Sequence, residues 1–417
     1  MSLLSVGAAP AYYLPSSESS VPQAWKSNTA AKPVECSLQT VNVPALSGDQ
    51  GANGTTNIQL SLGAGSGYIC NPYLRFDVGV TTSATGGTVA FKGPNSLASA
   101  CINTYTTYIN SSQCDQIANA DQVYEQILSH GSSQSFIERD ASILMNAGVQ
   151  TATVAAAEIN LGTQVVPLLG VLSSQQCLPA FLCSGTLQIS IQWNSLLRAF
   201  AITEGAGTPT VTAMRISNVQ LVYDRINPED SFVSSMKAEM MMGQKYVLSY
   251  MNLENSAYPV ASTSASIQYG LNVSSLRGVV ASQVLVTQEA GNTPGLSSAN
   301  TLTNFATSVD GRLLNNTQFL AGVGDAAIFQ ELQKVFSRAF DASVSDVATN
   351  ATFPTNFFAV GVSACRVNEA LAFSGSKATQ ISIQYNRSAG ANATLYLTFM
   401  SDRQILIDAS GQITLVR

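Results

Sequence analysis

Charge is scarce in this sequence. Only 11% of its 417 residues are Asp, Glu, Lys or Arg, less than half the roughly 25% of an ordinary soluble chain. Histidine is almost missing: His130 stands alone. That excludes multi-His metal sites, and any His-based catalytic triad would have to use His130. Basic excess is missing too. Nineteen Lys and Arg face 25 Asp and Glu, for a net charge of −6, the opposite of the basic footprint of a nucleic-acid binder. Long apolar runs are absent. The longest, Val165 to Leu172, contains Pro167 and is far too short to span a bilayer. Met1 to Val6 has no positive region and a broken apolar pattern, so no signal peptide is expected. Disorder is excluded, because 46% of the residues are hydrophobic and the net charge is small.

Cysteine is present in an odd number: Cys36, Cys70, Cys101, Cys114, Cys177, Cys183 and Cys365. No pair has the two-residue spacing of a zinc or redox motif. The expectation is seven reduced thiols that act as small buried hydrophobes, which points to a reducing compartment during folding. Seven Asn-x-Ser/Thr sequons occur, at Asn53, Asn110, Asn272, Asn315, Asn350, Asn386 and Asn392. In a chain this rich in Asn, Ser and Thr they carry no signal for secretion.

Motifs of catalysis are missing as well. There is no Gly-x-Ser-x-Gly elbow. The nearest run, Gly63-Ala64-Gly65-Ser66-Gly67, has Ala64 and Tyr68 where an elbow needs glycines, and no Gly-Lys-Ser/Thr follows it. It reads as a turn. His130 lies at the end of a predicted helix, where polar residues are ordinary. Carboxylate pairs for a glycosidase would have to come from Glu138, Asp140, Glu158 and Glu204, and nothing around them marks them out. Glu138-Arg139-Asp140 reads as a solvated charge cluster. The reading is a chain that is not an enzyme, with no catalytic, cofactor-binding or metal-binding residues.

What the sequence does contain is Ser and Thr, 84 of them, with 30 Gly, arranged as short β-type runs. Residues 1–35 are aperiodic and rich in Ser, Ala and Pro, yet hold Tyr12, Tyr13, Leu14 and Trp25. They read as an extended N-terminal arm that docks on something. Strands are expected at Leu38–Val43, Asn57–Leu62, Tyr73–Val80, Thr88–Lys92, Cys101–Ile109, Gly162–Val166, Leu187–Trp193 and Val211–Tyr223. A helix is expected from Asn119, with Val123, Tyr124, Ile127 and Leu128 on one face. At Asn227, a cap candidate followed by Pro228, Glu229 and Asp230, a linker helix is expected to run to Gly243. The second half repeats the style. Its strands are expected at Tyr246–Tyr250, Ile267–Val273, Val279–Thr287, Phe357–Val362, Gln380–Tyr385, Thr394–Met400, Gln404–Ile407 and Ile413–Val416. One helix, capped by Asp325, carries Ile328, Leu332, Val335, Phe336 and Phe340 on one face. Residues 291–311 read as an exposed loop.

One repeat is sharper than the rest. Gln188-Ile189-Ser190-Ile191-Gln192-Trp193-Asn194 returns as Gln380-Ile381-Ser382-Ile383-Gln384-Tyr385-Asn386, with six of seven residues identical. Ser-Gly precedes each copy, and a strand ending in Asp-Arg follows each, at Asp224-Arg225 and Asp402-Arg403. The expected fold class is all-β with a few short helices: two tandem eight-stranded antiparallel jelly rolls. The expected domains are the arm 1–35, a first roll 36–226, a linker helix 227–243 and a second roll 244–417.

Four passages resemble the double jelly-roll major capsid proteins of tailless icosahedral DNA viruses, in the style of polinton-like viruses and virophages. They are Ser96 to Leu128, with its helix entry at Ile117–Tyr124; Val165–Leu172 with Leu178–Leu182; Ile216 to Pro228; and Phe399 to Arg417. The resemblance implies a homotrimer whose six rolls form a pseudo-hexameric capsomer tiling an icosahedral shell. It implies lateral contacts between capsomers, contacts with penton and minor capsid proteins, contact with an inner membrane where one is present, and no sequence-specific nucleic acid binding. It places the protein in the virion, after folding in the host cytosol or nucleus. Low charge suits wide, closely apposed self-interfaces. The competing class is a glycan-binding or adhesion β-sandwich, which would need surface aromatics or acidic calcium sites. Trp193 falls inside the repeat and reads as core instead.

Overall fold

The computed structural model describes residues 36–83, 88–92, 97–131, 150–151, 158–173, 177–203, 210–287, 302–318, 325–340, 358–365 and 375–416. The arm 1–35, Glu138, Arg139, Asp140, Glu204 and residues 291–301 of the expected loop lie outside them.

The first half contains β1 (Cys36–Pro44), β2 (Thr55–Ser61), β3 (Tyr68–Thr82), β4 (Thr88–Phe91), β5 (Ile102–Ile109), β6 (Ser112–Ile117), α1 (Ala120–Gly131), β7 (Gln150–Thr151), β8 (Glu158–Pro167), β9 (Leu178–Pro179), β10 (Thr186–Trp193), the single turn α2 (Leu196–Ala199), β11 (Phe200–Thr203) and β12 (Val211–Pro228). Two sheets form its sandwich, in the orders β1-β12-β3-β8 and β2-β10-β5-β6. The chain alternates between them from β1 to β3, stays in one sheet for the β5–β6 hairpin, then alternates again. That is jelly-roll topology. A small third sheet, β11-β4-β7, lies off this path.

The second half contains α3 (Asp230–Met241), β13 (Tyr246–Val260), β14 (Ser264–Leu285), β15 (Leu302–Val309), β16 (Arg312–Gln318), α4 (Asp325–Phe340), β17 (Ala359–Ser363), β18 (Ser376–Arg387), β19 (Ala393–Ile407) and β20 (Ile413–Val416). All these strands share one hydrogen-bonded network because β14 belongs to two sheets. Its early half, Ser264–Gly270, pairs with β18, and its late half, Leu276–Leu285, pairs with β19. Register shifts between Gly270 and Leu276 mark the corner, as bulges do where a strand changes sheets. The orders β13-β19-β14-β17 and β14-β18-β15-β16 then repeat those of the first roll. In the first roll the same corner is a break in the strand. There Gly63, Gly65 and Gly67 all take positive φ, so the glycine run is a turn, as its sequence indicated.

The two copies of the repeated word lie on the equivalent strands β10 and β18. Ile189, Ile191, Ile381 and Ile383 are fully buried, as are Trp193 and Tyr385. Measured against the neighbouring hairpin the copies are two residues out of step: Leu187 stands opposite Ile109 and Ile381 opposite Val309. A slip of two preserves the buried face, because side chains alternate with period two.

Several expectations need correction. The strand β12 continues through Asn227 and Pro228, which pair with Ser37 and Cys36. The linker helix therefore starts at Asp230, with Glu229 at the cap position. Gly243 does end it, at φ 93°. Residues 302–311 are not loop. They form β15 and the turn into β16, and Phe305 and Thr307 are buried. The strand β6, with polar Ser112, Gln113 and Gln116, was also not expected.

The cysteines depart furthest. Cys70 and Cys177 form a disulfide, with Cα atoms 4.8 Å apart. Pairing of β9 with β3 sets Tyr68 opposite Pro179 and Ile69 opposite Leu178, so the next pair in register is Cys70 and Cys177. Seven reduced thiols is thus the wrong count, and a reducing compartment loses its premise. Cys36 is exposed, while Cys101, Cys114 and Cys183 are free and buried.

The helix α4 packs on its sheet through Ile328, Leu332, Val335 and Phe336, all at most 1% exposed. It lies so close to β17 that a Cβ on Gly361 would stand 2.7 Å from the Leu332 Cα.

Replacing Ile191 or Ile383 by Ala should each cost about 2–5 kcal/mol, the range for buried large-to-small changes, read as a shifted midpoint in denaturant melts. Replacing Cys177 by Ser should cost about 2–4 kcal/mol, with dithiothreitol reproducing the loss in the unmutated chain.

Candidate functional site

Of the candidate catalytic residues, His130 and Glu158 are described, and they do not converge. His130 lies near the C-terminal end of α1, 3% exposed, its ring centroid 5.9 Å from that of Phe336 on α4. It joins two helices. Glu158, on the edge strand β8, is exposed and binds the Arg215 guanidinium, which also reaches Asp49 at 3.1 Å. Such an exposed pair contributes little. Among the described residues no group of three or more His, Cys, Asp or Glu is placed to hold a metal ion.

The polar residues that do converge lie between the two rolls. The first roll sets its β6 edge, the helix α1 and the segment 182–184 against the outer face of the second roll's β13-β19-β14 sheet. In the middle, the Cys114 carbonyl accepts the Tyr250 hydroxyl at 2.7 Å and Arg403 Nη1 at 3.4 Å. At one end, Gln126 Nε2 donates to Ser282 Oγ at 2.8 Å, while its Oε1 accepts from Thr398 Oγ1 at 2.6 Å. Asn255 Nδ2 also donates to Thr398, and Asn255 Oδ1 accepts from Asn119. Arg198 Cζ stands 5.6 Å from the Tyr396 ring centroid, and its guanidinium binds Asp121 through both carboxylate oxygens. At the far end, the Ser184 amide and hydroxyl both donate to the Gly411 carbonyl at 3.1 Å, and Asn110 donates to Gln412.

This seam explains a difference in burial. In β19 and the late half of β14 nearly every residue is buried, on both faces. Leu397 and Phe399 enter the core of the second roll, whereas Tyr396 and Thr398 meet the first roll. The equivalent β1-β12-β3 sheet of the first roll is less covered on its outer face. Leu74, Phe76 and Val78 point inward, while Arg75 and Arg215 are exposed.

Asp115 is the most perturbed carboxyl in the seam with a definite value. It is 1% exposed, and burial pushes its pKa up to about 6, against the pull of the Val171 amide, Thr107 and Arg403. Its Oδ2 accepts the Val171 amide at 2.7 Å. Gly170 beside it has φ 73°, and a Cβ there would stand 2.2 Å from that oxygen, so the site admits only glycine. Asp121 is also raised by burial, opposed by Arg198. Taken together, these groups hold two sandwiches in register. None of them faces another in the nucleophile–base or acid–base geometry that catalysis needs.

No protein-family model and no curated protein matches the sequence. Solved structures do match the fold. PBCV-1 VP54, as fitted into a reconstruction of the virophage Sputnik, superposes with a TM-score of 0.62 at 10% identity, covering 93% of this chain and 98% of that one. The Faustovirus major capsid protein gives 0.63 at 9% identity, covering 90% and 92%. The mavirus major capsid protein gives 0.53 at 10% identity, covering 95% and 94%. The fold is the double jelly roll. At such identities the similarity lives in topology and in which faces are buried.

The raised pKa of Asp115 predicts a pH dependence. The folded state holds this proton up to about pH 6, whereas the unfolded chain releases it near pH 4. Stability from this group is therefore present below about pH 4 and is lost as pH rises through 6. A shift of roughly two units corresponds to about 3 kcal/mol. In Asp115→Asn that loss should vanish, so the stability difference between variant and parent should widen between pH 4 and 6.5 in urea melts.

Proposed function

We propose that this chain is the major capsid protein of an icosahedral virus, and that it trimerises into capsomers with six rolls around a pseudo-six-fold axis. The observation that carries this reading is the pair of jelly rolls with one strand order, fused in tandem and matched over nine-tenths of the capsid proteins of PBCV-1 and Faustovirus. A fold alone does not dictate function, but three features favour a shell. The surface is weakly charged. The polar contacts at the seam join sandwiches rather than line a reacting centre. The exposed apolar residues, among them Leu38, Leu46, Met241, Met242 and Leu313, are spread over both rolls as lateral contacts require.

In this reading the arm, 1–35, reaches a neighbour or the inside of the shell. The rolls are 36–228 and 244–417, joined by the linker helix α3. The protein resides in the virion and contacts its own copies, penton proteins and minor capsid proteins, as well as an inner membrane where one exists. It performs no chemistry and carries no cofactor.

Light scattering of the purified chain tests this reading. The expected mass is about three times 43.8 kDa, with hexagonal particles or shells in negative stain. A monomer that binds a glycan array would overturn it in favour of a carbohydrate-binding sandwich.

A further inference from the structure

The three most exposed large apolar side chains among the described residues flank one helix. Met242 is 83% exposed, Met241 78% and Leu38 70%. Met241 is the last residue of α3, and Met242 follows it. Leu38 stands by the other end. It lies two residues along β1 from Cys36, which pairs with Pro228 just before α3. Leu38 also pairs with Ile226, which pairs with Tyr68, and the Tyr68 hydroxyl meets Met236 Sδ of α3 at 3.7 Å. Ile226 and Tyr68 are buried, so only the last member of this apolar row lies open.

Between these ends the outward face of α3 is low. Met236 and Met240 are buried, whereas Ser234, Ser235 and Ala238 are exposed. Small side chains let a second stretch of chain approach closely, and thioether sulfurs make favourable contacts with aromatic rings. Large apolar groups gathered along one element in this way mark a surface that something covers.

The chain supplies an occupant. Residues 1–35 join β1 at Cys36, beside the start of α3. From Cys36 back to Trp25 is 11 residues, a stretch that spans up to about 36–40 Å when extended. The 12 residues of α3 extend over about 18 Å. Trp25 therefore reaches Met241 and Met242 of its own chain with length to spare. Charge agrees. Residues 19–34 hold Lys26 and Lys32 and no acid. The helix is entered through Glu229 and Asp230, both exposed, and Lys32 lies only four residues before Cys36.

We propose that residues 24–35 fold back along α3 of their own chain as a strap. Trp25 seats on Met241 and Met242, Lys32 meets Glu229 and Asp230, and the stretch that leaves Cys36 covers Leu38. The strap steadies the helix that joins the two rolls. Residues 1–23, with Tyr12, Tyr13 and Leu14, are left to go on to a neighbour or the inside of the shell. Leu38, Met241 and Met242 then serve the arm, and lateral contacts fall to the other open residues. The inference concerns one chain and holds for a monomer as for a trimer.

Limited trypsin digestion tests it. Lys26–Ser27 is the bond at risk in the strap, because Pro33 after Lys32 blocks cleavage there. Cleavage after Lys26 should be at least ten times slower in the parent than in the double variant Met241→Asp, Met242→Asp. The far-UV circular dichroism of that variant should match the parent's, since both side chains are on the surface. Trp25 gives an optical readout after subtraction of a Trp25→Phe chain, because Trp193 is buried in the core. Trp25 emission should be blue-shifted and shielded from acrylamide in the parent, and red-shifted and open in the variant. Equal cleavage rates with equal quenching would overturn the strap and leave the capsid reading standing. A cross-link then separates the chain's own arm from a neighbour's. In a Cys36→Ser background, Ala24→Cys with Gln244→Cys, treated with a short bismaleimide, should give a product of monomer mass that runs ahead of the parent on a denaturing gel. Cross-linked dimers in its place would overturn the proposal by putting another copy's arm on the helix. A strap found in a chain that stays monomeric at all concentrations would support this inference while the capsomer reading fell.

Discussion

A β-sheet covered on both faces must bury its outward side chains as well as its inward ones. Those outward side chains cannot all be apolar, because the same face must close against a partner of fixed shape. The β13-β19-β14 sheet meets this constraint with small polar residues. Thr398, Ser282 and Asn255 satisfy one another and Gln126 across the seam, and a hydrogen-bonded network of this kind fixes register. Leaving one member without its partner would cost about 1–3 kcal/mol. The placement of the second roll against the first therefore depends on a few amides and hydroxyls. The sandwich cores themselves depend on ordinary apolar packing.

The low charge of the sequence acquires a physical meaning in this setting. Charged groups resist burial unless paired, and two carboxylates that enter the interior each take an arginine. Asp402 takes Arg277 Nε at 2.7 Å and the Ser275 hydroxyl, and Asp121 takes Arg198. A chain that must cover so much of its own sheet surface has few positions at which an unpaired charge is tolerated.

Much of the fold was legible in the sequence. The word at Gln188 and Gln380 marked equivalent strands, and its alternating isoleucines identified the inward face. Helices α1 and α4 were legible from their apolar spacing. The hairpin β15–β16 was not, because the strand β15 mixes Thr, Asn, Ser and Ala with only three large apolar residues. A second repeat was present there and went unread. Ile102, Tyr105, Thr107 and Ile109 of β5 return as Leu302, Phe305, Thr307 and Val309 of β15, with the same burial pattern, and each strand ends in a two-residue turn of positive φ. The seam was beyond sequence reasoning altogether. Gln126, Ser282 and Thr398 are three ordinary polar residues until topology brings them together. The Cys70–Cys177 bond was equally hidden, since a two-residue strand pair sets its register.

That bond has a consequence for how the chain breaks. It closes a covalent loop of 107 residues around strands β3 to β8. Any single peptide cut inside the loop, whether by a protease or by ageing of the protein, leaves both fragments tied together. The nicked molecule keeps its mass on a non-reducing gel and comes apart only when a thiol is added. Injury to more than a quarter of the chain length is thereby made silent until the surroundings become reducing.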